Sequence, residues 1–178
     1  MPHSHNQSLK ERLGENNFKK IQGIDSRSLN EFLVKFIQIL NPATIFVCTD
    51  ELADIEYIRE KALRDGEEQE LKIPGQTVHF DNYFDQARDK KKTAILLAKG
   101  KKLDRVITTL DRETGLKDIY QILPNIMQGK ELLIRFFCLG PTNSEFSIPA
   151  VQLTDSAYVA HSEDLLYRKG YQEFIRQG

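Results

Sequence analysis

Apolar side chains recur every three to four residues in two stretches of the chain, which is the spacing of amphipathic helices that pack one face on a core. The first stretch covers residues 29–40, and Ser28 followed by Glu31 favours a helix with Ser28 as its N-cap. The second stretch follows Thr49-Asp50, which we expect to cap it, and it ends before Gly66. Two core-facing helices are therefore predicted in the first third of the chain.

Runs of apolar, β-branched and aromatic residues predict buried strands. The predicted strands are residues 44–48, 93–97, 131–139 and 150–160. A further helix is expected from about Arg112 to Met127, and the tail from Glu163 onward is expected to be helical with a break at Gly170. Strands that alternate with helices in this way predict an α/β fold.

Length and composition indicate one medium-sized domain. The chain has 178 residues, of which 40% are hydrophobic and 29% charged. Residues 1–26 are polar and are interpreted as a loose or weakly helical arm, and residues 27–178 as the domain itself. His3 and His5 in the arm could bind a metal ion. Neither has a cysteine or acidic partner at ligand spacing, so both are interpreted as solvated residues.

Charge and hydropathy exclude several functional classes. The net charge of −1 gives no overall attraction to nucleic acid or anionic membranes, so neither is expected as a partner. No apolar run is long enough to cross a membrane, and the first residues lack the apolar region of a signal peptide. Cys48 and Cys138 lie in apolar runs and are interpreted as buried free thiols in a reducing compartment. A cytoplasmic protein is expected.

Common catalytic motifs are absent from the chain. It has neither the phosphate-binding pattern G-x-x-x-x-G-K-[ST] nor G-x-G-x-x-G, and it has no H-E-x-x-H or paired C-x-x-C. Asp155, Ser156 and His161 are the residue types of a hydrolytic triad, but they lie in one short segment without a G-x-S-x-G turn. Thr154 and Asp155 could instead cap the turn that follows a strand. No catalytic or metal-binding residue is assigned on this basis.

Two features could bind an anion. Arg88 and lysines 90–92 form a basic cluster just before a predicted strand. Such a cluster is usually a solvated loop, yet the planar guanidinium of Arg88 could hold a carboxylate or phosphate through two hydrogen bonds. The start of the helix after Thr49-Asp50 could hold a phosphate, although no glycine-rich loop precedes it. The residues alone leave these alternatives open.

Three separated segments resemble one known family. They are NPATIFVCT (41–49), DQARDKKKTAILL (85–97) and FFCLGPTNSEFSIPAVQLTDSAYVAHSEDLLYR (136–168). In the same order, they resemble the N-terminal domain of GTP-dependent phosphoenolpyruvate carboxykinase, and HFDNYFDQARDK (79–90) is most similar to the archaeal branch. The resemblance runs from about residue 28 to the C-terminus. It implies an α/β fold in which a mixed sheet is flanked by helices.

The resemblance also implies a reaction and a role for Arg88. Enzymes of this family convert oxaloacetate and GTP to phosphoenolpyruvate, GDP and carbon dioxide in gluconeogenesis, using manganese and a second divalent ion with the nucleotide. The arginine of the family's Ala-Arg motif binds the carboxylate-bearing substrate, and its match here is Arg88 in Ala87-Arg88. A loop and a T-D-S segment of the family are expected to shape the domain wall near the active cleft. Their matches are Gly140, Pro141, Ser144, Ser147, Thr154, Asp155 and Ser156.

Several features of the family have no match in these 178 residues. They are its phosphate-binding loop, its manganese ligands (a Lys, a His and an Asp) and its nucleotide pocket. We therefore expect that this chain alone binds no cofactor and is inactive, and that a C-terminal catalytic half is its protein partner. The small-molecule ligand would be oxaloacetate or phosphoenolpyruvate. The alternative is a stand-alone, non-catalytic module that binds a dicarboxylate or has a regulatory role.

Three positions depart from the family's local pattern. Lys90 replaces a carboxylate of animal-type members, so lid contacts of those enzymes are not transferred to this chain. Asn143 and Glu145 replace small residues or proline. These replacements affect the expected backbone of the loop but not the resemblance to the family.

Overall fold

Six helices and eight strands follow one another in the described part of the chain. The computed structural model describes residues 2–81 and 93–178, with side chains from residue 9 onward. The helices are α1 (Pro2–Gln22), α2 (Arg27–Leu40), α3 (Leu52–Arg64), α4 (Arg112–Ile122), α5 (Ala157–Leu166) and α6 (Tyr171–Gln177). The strands are β1 (Thr44–Cys48), β2 (Gln69–Glu70), β3 (Thr77–Val78), β4 (Ile95–Leu97), β5 (Thr109–Asp111), β6 (Glu131–Leu139), β7 (Ile148–Thr154) and β8 (Arg168–Lys169).

The main sheet is built around β6. On one side β1 runs parallel to it, with Thr44 opposite Glu131, and on the other side β7 runs antiparallel, with Thr154 opposite Leu133. The short strand β8 pairs antiparallel with β6 near the end of that strand. Because parallel and antiparallel pairs share one sheet, the predicted mixed sheet with flanking helices is confirmed.

Two small ladders lie outside the main sheet. β2 pairs antiparallel with β3, and β4 pairs parallel with β5. The prediction of a buried strand at 93–97 is therefore only partly right, because the strand is short and Ile95 is 49% exposed. Its partner strand, β5, has only three residues, so this small ladder buries the apolar side chains of β4 less than the main sheet would.

The core lies on both faces of β6. Leu132, Ile134 and Phe136 point to the face covered by α1 and α2, whereas Leu133 points to the face covered by α3 and α5. All four side chains are fully buried, and each contributes about 1.5–3 kcal/mol of burial free energy. A strand that is covered on both faces consists of a nearly continuous run of apolar residues. The strand predicted from that run, 131–139, therefore has the same bounds as β6.

α2 corresponds to the first predicted helix, but its N-cap lies two residues earlier than expected. Ser26, rather than Ser28, is its N-cap, and the Ser26 hydroxyl accepts the N–H of Leu29 (3.5 Å). Glu31 forms an ion pair with Arg27 instead of completing a capping box. At the other end Asn41 has a φ of 52°, a left-handed conformation that asparagine tolerates.

The prediction of one strand over residues 150–160 is wrong. β7 ends at Thr154 and α5 begins at Ala157, because the Ser156 side chain caps the helix by accepting the N–H of Val159 (3.2 Å). The buried pair Ala157 and Ala160 has helical spacing, and it packs on the α3 face of the sheet.

Helix lengths in the second half of the chain also differ from those predicted. α4 ends at Ile122, five residues before the expected end at Met127. The tail is not helical up to the expected break at Gly170, because α5 ends at Leu166 and β8 follows it. α6 starts at the residue after Gly170, as the predicted break implies. A Cβ at Gly170 would lie 2.3–2.4 Å from backbone atoms of Phe137, so a glycine is required where the chain crosses β6.

The segment interpreted as a loose or weakly helical arm is helical from Pro2 to Gln22. Leu9, Leu13 and Ile21 are buried in the core, so the described part of this segment is not loose. Its few apolar residues are spread among many charged ones, which hides the helical pattern. The division of the chain at residue 26 stays a prediction.

α1 also closes the open edge of β1. The side chain of Asn17 donates to the carbonyl of Ile45 (2.8 Å) and accepts the N–H of Val47 (2.9 Å), as the backbone of a neighbouring strand would. Lys20 donates to the carbonyl of Val47 (2.9 Å). These bonds satisfy backbone groups that an edge strand otherwise leaves free for pairing.

We predict that Asn17→Ala lowers the free energy of unfolding by about 2 kcal/mol, because it leaves a buried backbone donor and an acceptor of β1 without partners. The measurement is urea unfolding followed by circular dichroism. Asn16→Ala is the matched control, since Asn16 is exposed on the same helix and gains the same helix propensity. Equal effects of the two substitutions would contradict the role of Asn17.

Candidate functional site

Arg88, the predicted substrate-binding residue, lies outside the described residues. So do the neighbouring lysines 90–92 and most of the segment that resembles the archaeal branch. The backbone is described up to Asp81 and again from Thr93. The described parts of the candidate site are therefore the elements that lead into the Arg88 segment, the T-D-S turn and the loop after β6. The turn and the loop lie at opposite ends of β7, so the structure does not bring them together.

The described residues just before that segment are anchored to α5. The His79 ring stacks on the Tyr158 ring, with 3.5 Å between their centroids and 11° between their planes. His79 Nδ1 lies 2.6 Å from the carbonyl oxygen of Glu67, and Nε2 lies 3.4 Å from the carboxylate of Asp81. The stacked and hydrogen-bonded His79 ring thus holds residues 79–81 beside the start of α5.

Glu67 holds the N-terminus of α5. Its carboxylate accepts the N–H groups of Ala157 and Tyr158 (both 3.0 Å) and the hydroxyl of Ser156. A carboxylate at this position satisfies free helix N–H groups and interacts favourably with the helix dipole. The first turn of α5 is therefore filled by a charge of the protein itself.

The three residues considered as a hydrolytic triad have separate partners. Asp155 forms an ion pair with Lys130, and Ser156 donates to Glu67. His161 Nδ1 lies 2.8 Å from a carboxylate oxygen of Glu68, in a pair that is almost completely buried. Because the serine, the histidine and the aspartate each have a different partner, these three residues do not form a triad.

The T-D-S segment turns the chain from β7 into α5. The Thr154 hydroxyl accepts the N–H of Ser156 (3.1 Å), as expected of a residue that caps a turn. Asp155 does not cap, because its carboxylate forms an ion pair with Lys130 instead. Sequence reasoning correctly identified the capping of this turn but assigned part of it to the wrong residue.

The loop between β6 and β7 is held by its own hydroxyl groups. Ser147 donates to the carbonyl of Pro141 (2.6 Å) and accepts the N–H of Ser144 (3.1 Å), and the Ser144 hydroxyl accepts the N–H of Phe146 (3.1 Å). Gly140 has a φ of 76°, and a Cβ there would lie 2.7 Å from the Phe146 carbonyl oxygen. These contacts support an architectural role for the loop.

Asn143 fits the loop although the family pattern has a small residue or proline there. It adopts a φ of 53°, and its backbone N–H donates to Glu173 of α6 (2.6 Å). Hydrogen bonds from Arg176 and Asn143 lower the pKa of Glu173 below its ordinary value. The loop is thus tied to α6 as well as to itself.

The turn after β1, considered above as a phosphate site, is filled by Asp54 from the first turn of α3. Asp54 accepts the N–H and the hydroxyl of Thr49 (2.9 and 2.6 Å), and both its oxygens accept from Lys20 (2.8 and 2.9 Å). Burial alone would raise the pKa of Asp54, but these hydrogen bonds outweigh it and lower the pKa below its ordinary value. The expected cap by Thr49-Asp50 is not observed, since Glu51 is the N-cap residue.

Arg135 is a structural residue that sequence reasoning missed. It lies in β6, is 1% exposed, forms an ion pair with Asp164 of α5 and donates to the carbonyl of Thr49 (3.4 Å). It therefore joins β6, α5 and the turn after β1. The alternation of side chains along a strand could have identified it, because Arg135 is two residues from Leu133 and therefore faces the same buried layer.

The remaining predictions concern metals, thiols and membranes. No group of three or more His, Cys, Asp or Glu side chains within the described ranges is placed to hold a metal ion. Cys48 and Cys138 are buried free thiols, as predicted, and burial raises the pKa of Cys48 to about 12. No helix in the described part of the chain has both the length and the apolar content to cross a membrane. The side chains of His3 and His5 lie outside the described part.

Comparison with known proteins settles the family. A sequence model of the phosphoenolpyruvate carboxykinase N-terminal domain matches residues 31–178. The chain belongs to this family. The match contains β1, β6, β7 and α5 and the loops between them, which are the elements that carry the resemblance noted from the sequence.

Curated relatives share this carboxykinase domain. The chain is 58% identical over 170 residues to phosphoenolpyruvate carboxykinase (GTP) of Thermococcus sibiricus, which covers 96% of the chain and 27% of that relative. It is 41% identical over 156 residues to the protein of that name from Saccharolobus solfataricus, covering 88% of the chain and 25% of the relative. For the Chlamydia felis protein the identity is 28% over 157 residues. The similarity to the archaeal branch is confirmed, and the chain spans about a quarter of the length of these relatives.

We predict that Asp54→Asn destabilises the carboxykinase domain by about 1–3 kcal/mol at neutral pH, because a charged acceptor of four hydrogen bonds is lost. The folded-state pKa of Asp54 is lowered, so its contribution is present above the unfolded pKa of about 4 and is lost as the pH falls through the folded pKa. The difference between the two proteins should therefore shrink in acid. Urea unfolding at several pH values measures it.

The control for this prediction is Asp118→Asn, which changes an exposed carboxylate of α4. It should leave the unfolding free energy within about 0.5 kcal/mol of the unchanged chain at neutral pH. A difference for Asp54→Asn that is the same at pH 3 and pH 7 would show that its charge does not contribute.

Proposed function

We propose that this chain supplies the N-terminal, substrate-side portion of a cytoplasmic GTP-dependent phosphoenolpyruvate carboxykinase. Such an enzyme converts oxaloacetate and GTP to phosphoenolpyruvate, GDP and carbon dioxide in gluconeogenesis. The observation that carries the proposal is the 58% identity to the Thermococcus sibiricus enzyme over 96% of the chain. The matched region covers nearly the whole chain, so it includes both core elements and loops.

Arg88 is the proposed contact to the substrate. A guanidinium offers a planar pair of N–H donors that fits a carboxylate, and it keeps its charge at any physiological pH. The anchoring of His79 on α5 supports this role, because it fixes the chain a few residues before the segment that carries Arg88. Binding the oxaloacetate dianion through the guanidinium of Arg88 would also orient it. Such orientation favours both the loss of carbon dioxide and the transfer of the phosphoryl group.

The metal and nucleotide chemistry is assigned to the partner portion. Manganese and the nucleotide-associated ion would stabilise charge on the transferring phosphoryl group. The described residues contain no fitting donor set for such an ion, so we assign no step through a metal to them. We propose that the part of the carboxykinase polypeptide that this chain does not span supplies these ligands and acts as its protein partner.

The test is a coupled assay with oxaloacetate, GTP and Mn²⁺. The chain alone should show no turnover above the blank. A chimera in which this chain replaces the matching 27% of the Thermococcus sibiricus enzyme should be active. Arg88→Ala in the chimera should lower kcat/KM for oxaloacetate by about 100-fold, the loss of one charge-assisted bidentate contact, without changing KM for GTP.

Two further variants complete this test. Arg88→Lys should recover only part of the loss, because an ammonium keeps the charge but not the fork. Lys91→Ala, in the same basic cluster, should stay within about threefold of the unchanged chimera. An inactive chimera, together with oxaloacetate binding to the chain alone that Arg88→Ala abolishes, would instead support the stand-alone binding module.

A further inference from the structure

The two edges of the main sheet differ in what covers them. The outer edge of β1 is covered by α1, whose Asn17 and Lys20 bond to its backbone. Among the described residues, no strand pairs with the outer edge of β7, which runs for seven residues. Six of the nine residues of β6 are buried, whereas none of the seven in β7 is. An open edge of this length is a template for another strand.

The geometry of β7 identifies the groups that face outward. Pro149 lies opposite Cys138 and has no N–H, so it fits a position whose N–H side faces away from β6. Residues two and four positions further along share that direction in an antiparallel ladder. The backbone N–H groups of Val151 and Leu153 are then directed to the open edge, while those of Ala150 and Gln152 face β6.

An apolar groove lies beside this edge. It has a volume of about 560 Å³ and is lined by Phe32, Phe36, Leu123, Ile126, Val151 and Leu153, among others. Ile126 is 48% exposed, and Val151 and Leu153 are only partly buried although they pack on the core. Edge and groove together fit an extended chain with apolar side chains on one face.

We propose that an extended segment of the carboxykinase polypeptide adds to β7 as a further strand and fills this groove. The segment belongs to the part of the enzyme that this chain does not span, so this inference rests on the proposed function. The chain covers only 27% of the Thermococcus sibiricus relative, which leaves most of that polypeptide to supply such a strand. Within one polypeptide that segment is present at a high effective concentration, which favours it over a second copy of this chain.

Amide hydrogen exchange tests the proposal at single residues. In the chain alone, we expect the amides of Ala150 and Gln152 to be protected by β6 and those of Val151 and Leu153 to exchange quickly. In the chimera with the Thermococcus sibiricus enzyme, Val151 and Leu153 should exchange at least about tenfold more slowly relative to the two inner amides. Unchanged exchange at Val151 and Leu153 would overturn the proposal.

Two exposed positions give matched variants for this test. Ile126→Asp places a charge in the groove and should return the exchange of Val151 and Leu153 to within about threefold of the chain alone. Leu165→Asp changes a leucine that is 76% exposed on α5, on the other face of the sheet, and should leave the protection intact. If both variants behave alike, the groove is not the docking surface.

The exchange experiment separates this proposal from the proposed activity and from self-association. A protected β7 edge in an inactive chimera would support the docking surface while contradicting the activity. Protection that arises in the chain alone and increases with its concentration, together with a dimer in sedimentation, would assign the edge to a second copy and overturn the proposal.

Discussion

The burial of β6 on both faces is the constraint on which the rest of the structure depends. Its side chains alternate between the layer of α1 and α2 and the layer of α3 and α5, so each layer needs the strand to complete its core. β1, β7 and β8 all pair with it. A slip of β6 by one residue would exchange the two layers, which places Arg135 among the aliphatic residues of α2. The register of this one strand therefore fixes where every flanking helix must pack.

Charged residues close the positions where this sheet could accept an anion. Asp54 occupies the turn after β1, Glu67 occupies the first turn of α5, and Arg135 is neutralised by Asp164. In each case a side chain of the chain itself satisfies backbone or guanidinium groups that would otherwise attract a ligand. These charges stabilise the scaffold, and their contacts within the chain leave Asp54, Glu67 and Arg135 engaged in the fold rather than free to bind a ligand.

The parts of the fold that sequence predicts well are those in which one physical signal dominates. β1 and β6 are continuous apolar runs with strong β-propensity, and their predicted bounds match the structure. The boundary between β7 and α5 is harder, because an apolar run crosses it and only the hydroxyl of Ser156 ends one element and starts the next. α1 is missed for the opposite reason, since its apolar residues are sparse and Gly14 interrupts the helical backbone.

The candidate site shows a similar division. The T-D-S turn and the loop after β6 could be predicted as architecture, because hydroxyl-rich turns with glycine and proline have local explanations. The partners of Glu67, His161 and Arg135 could not be predicted, since they lie 29 to 93 residues away along the chain. Such contacts depend on the register of the sheet rather than on any local pattern. The proposed role of Arg88 rests on the resemblance to a family for the same reason, because a lone arginine becomes a recognition group only through the fold that positions it.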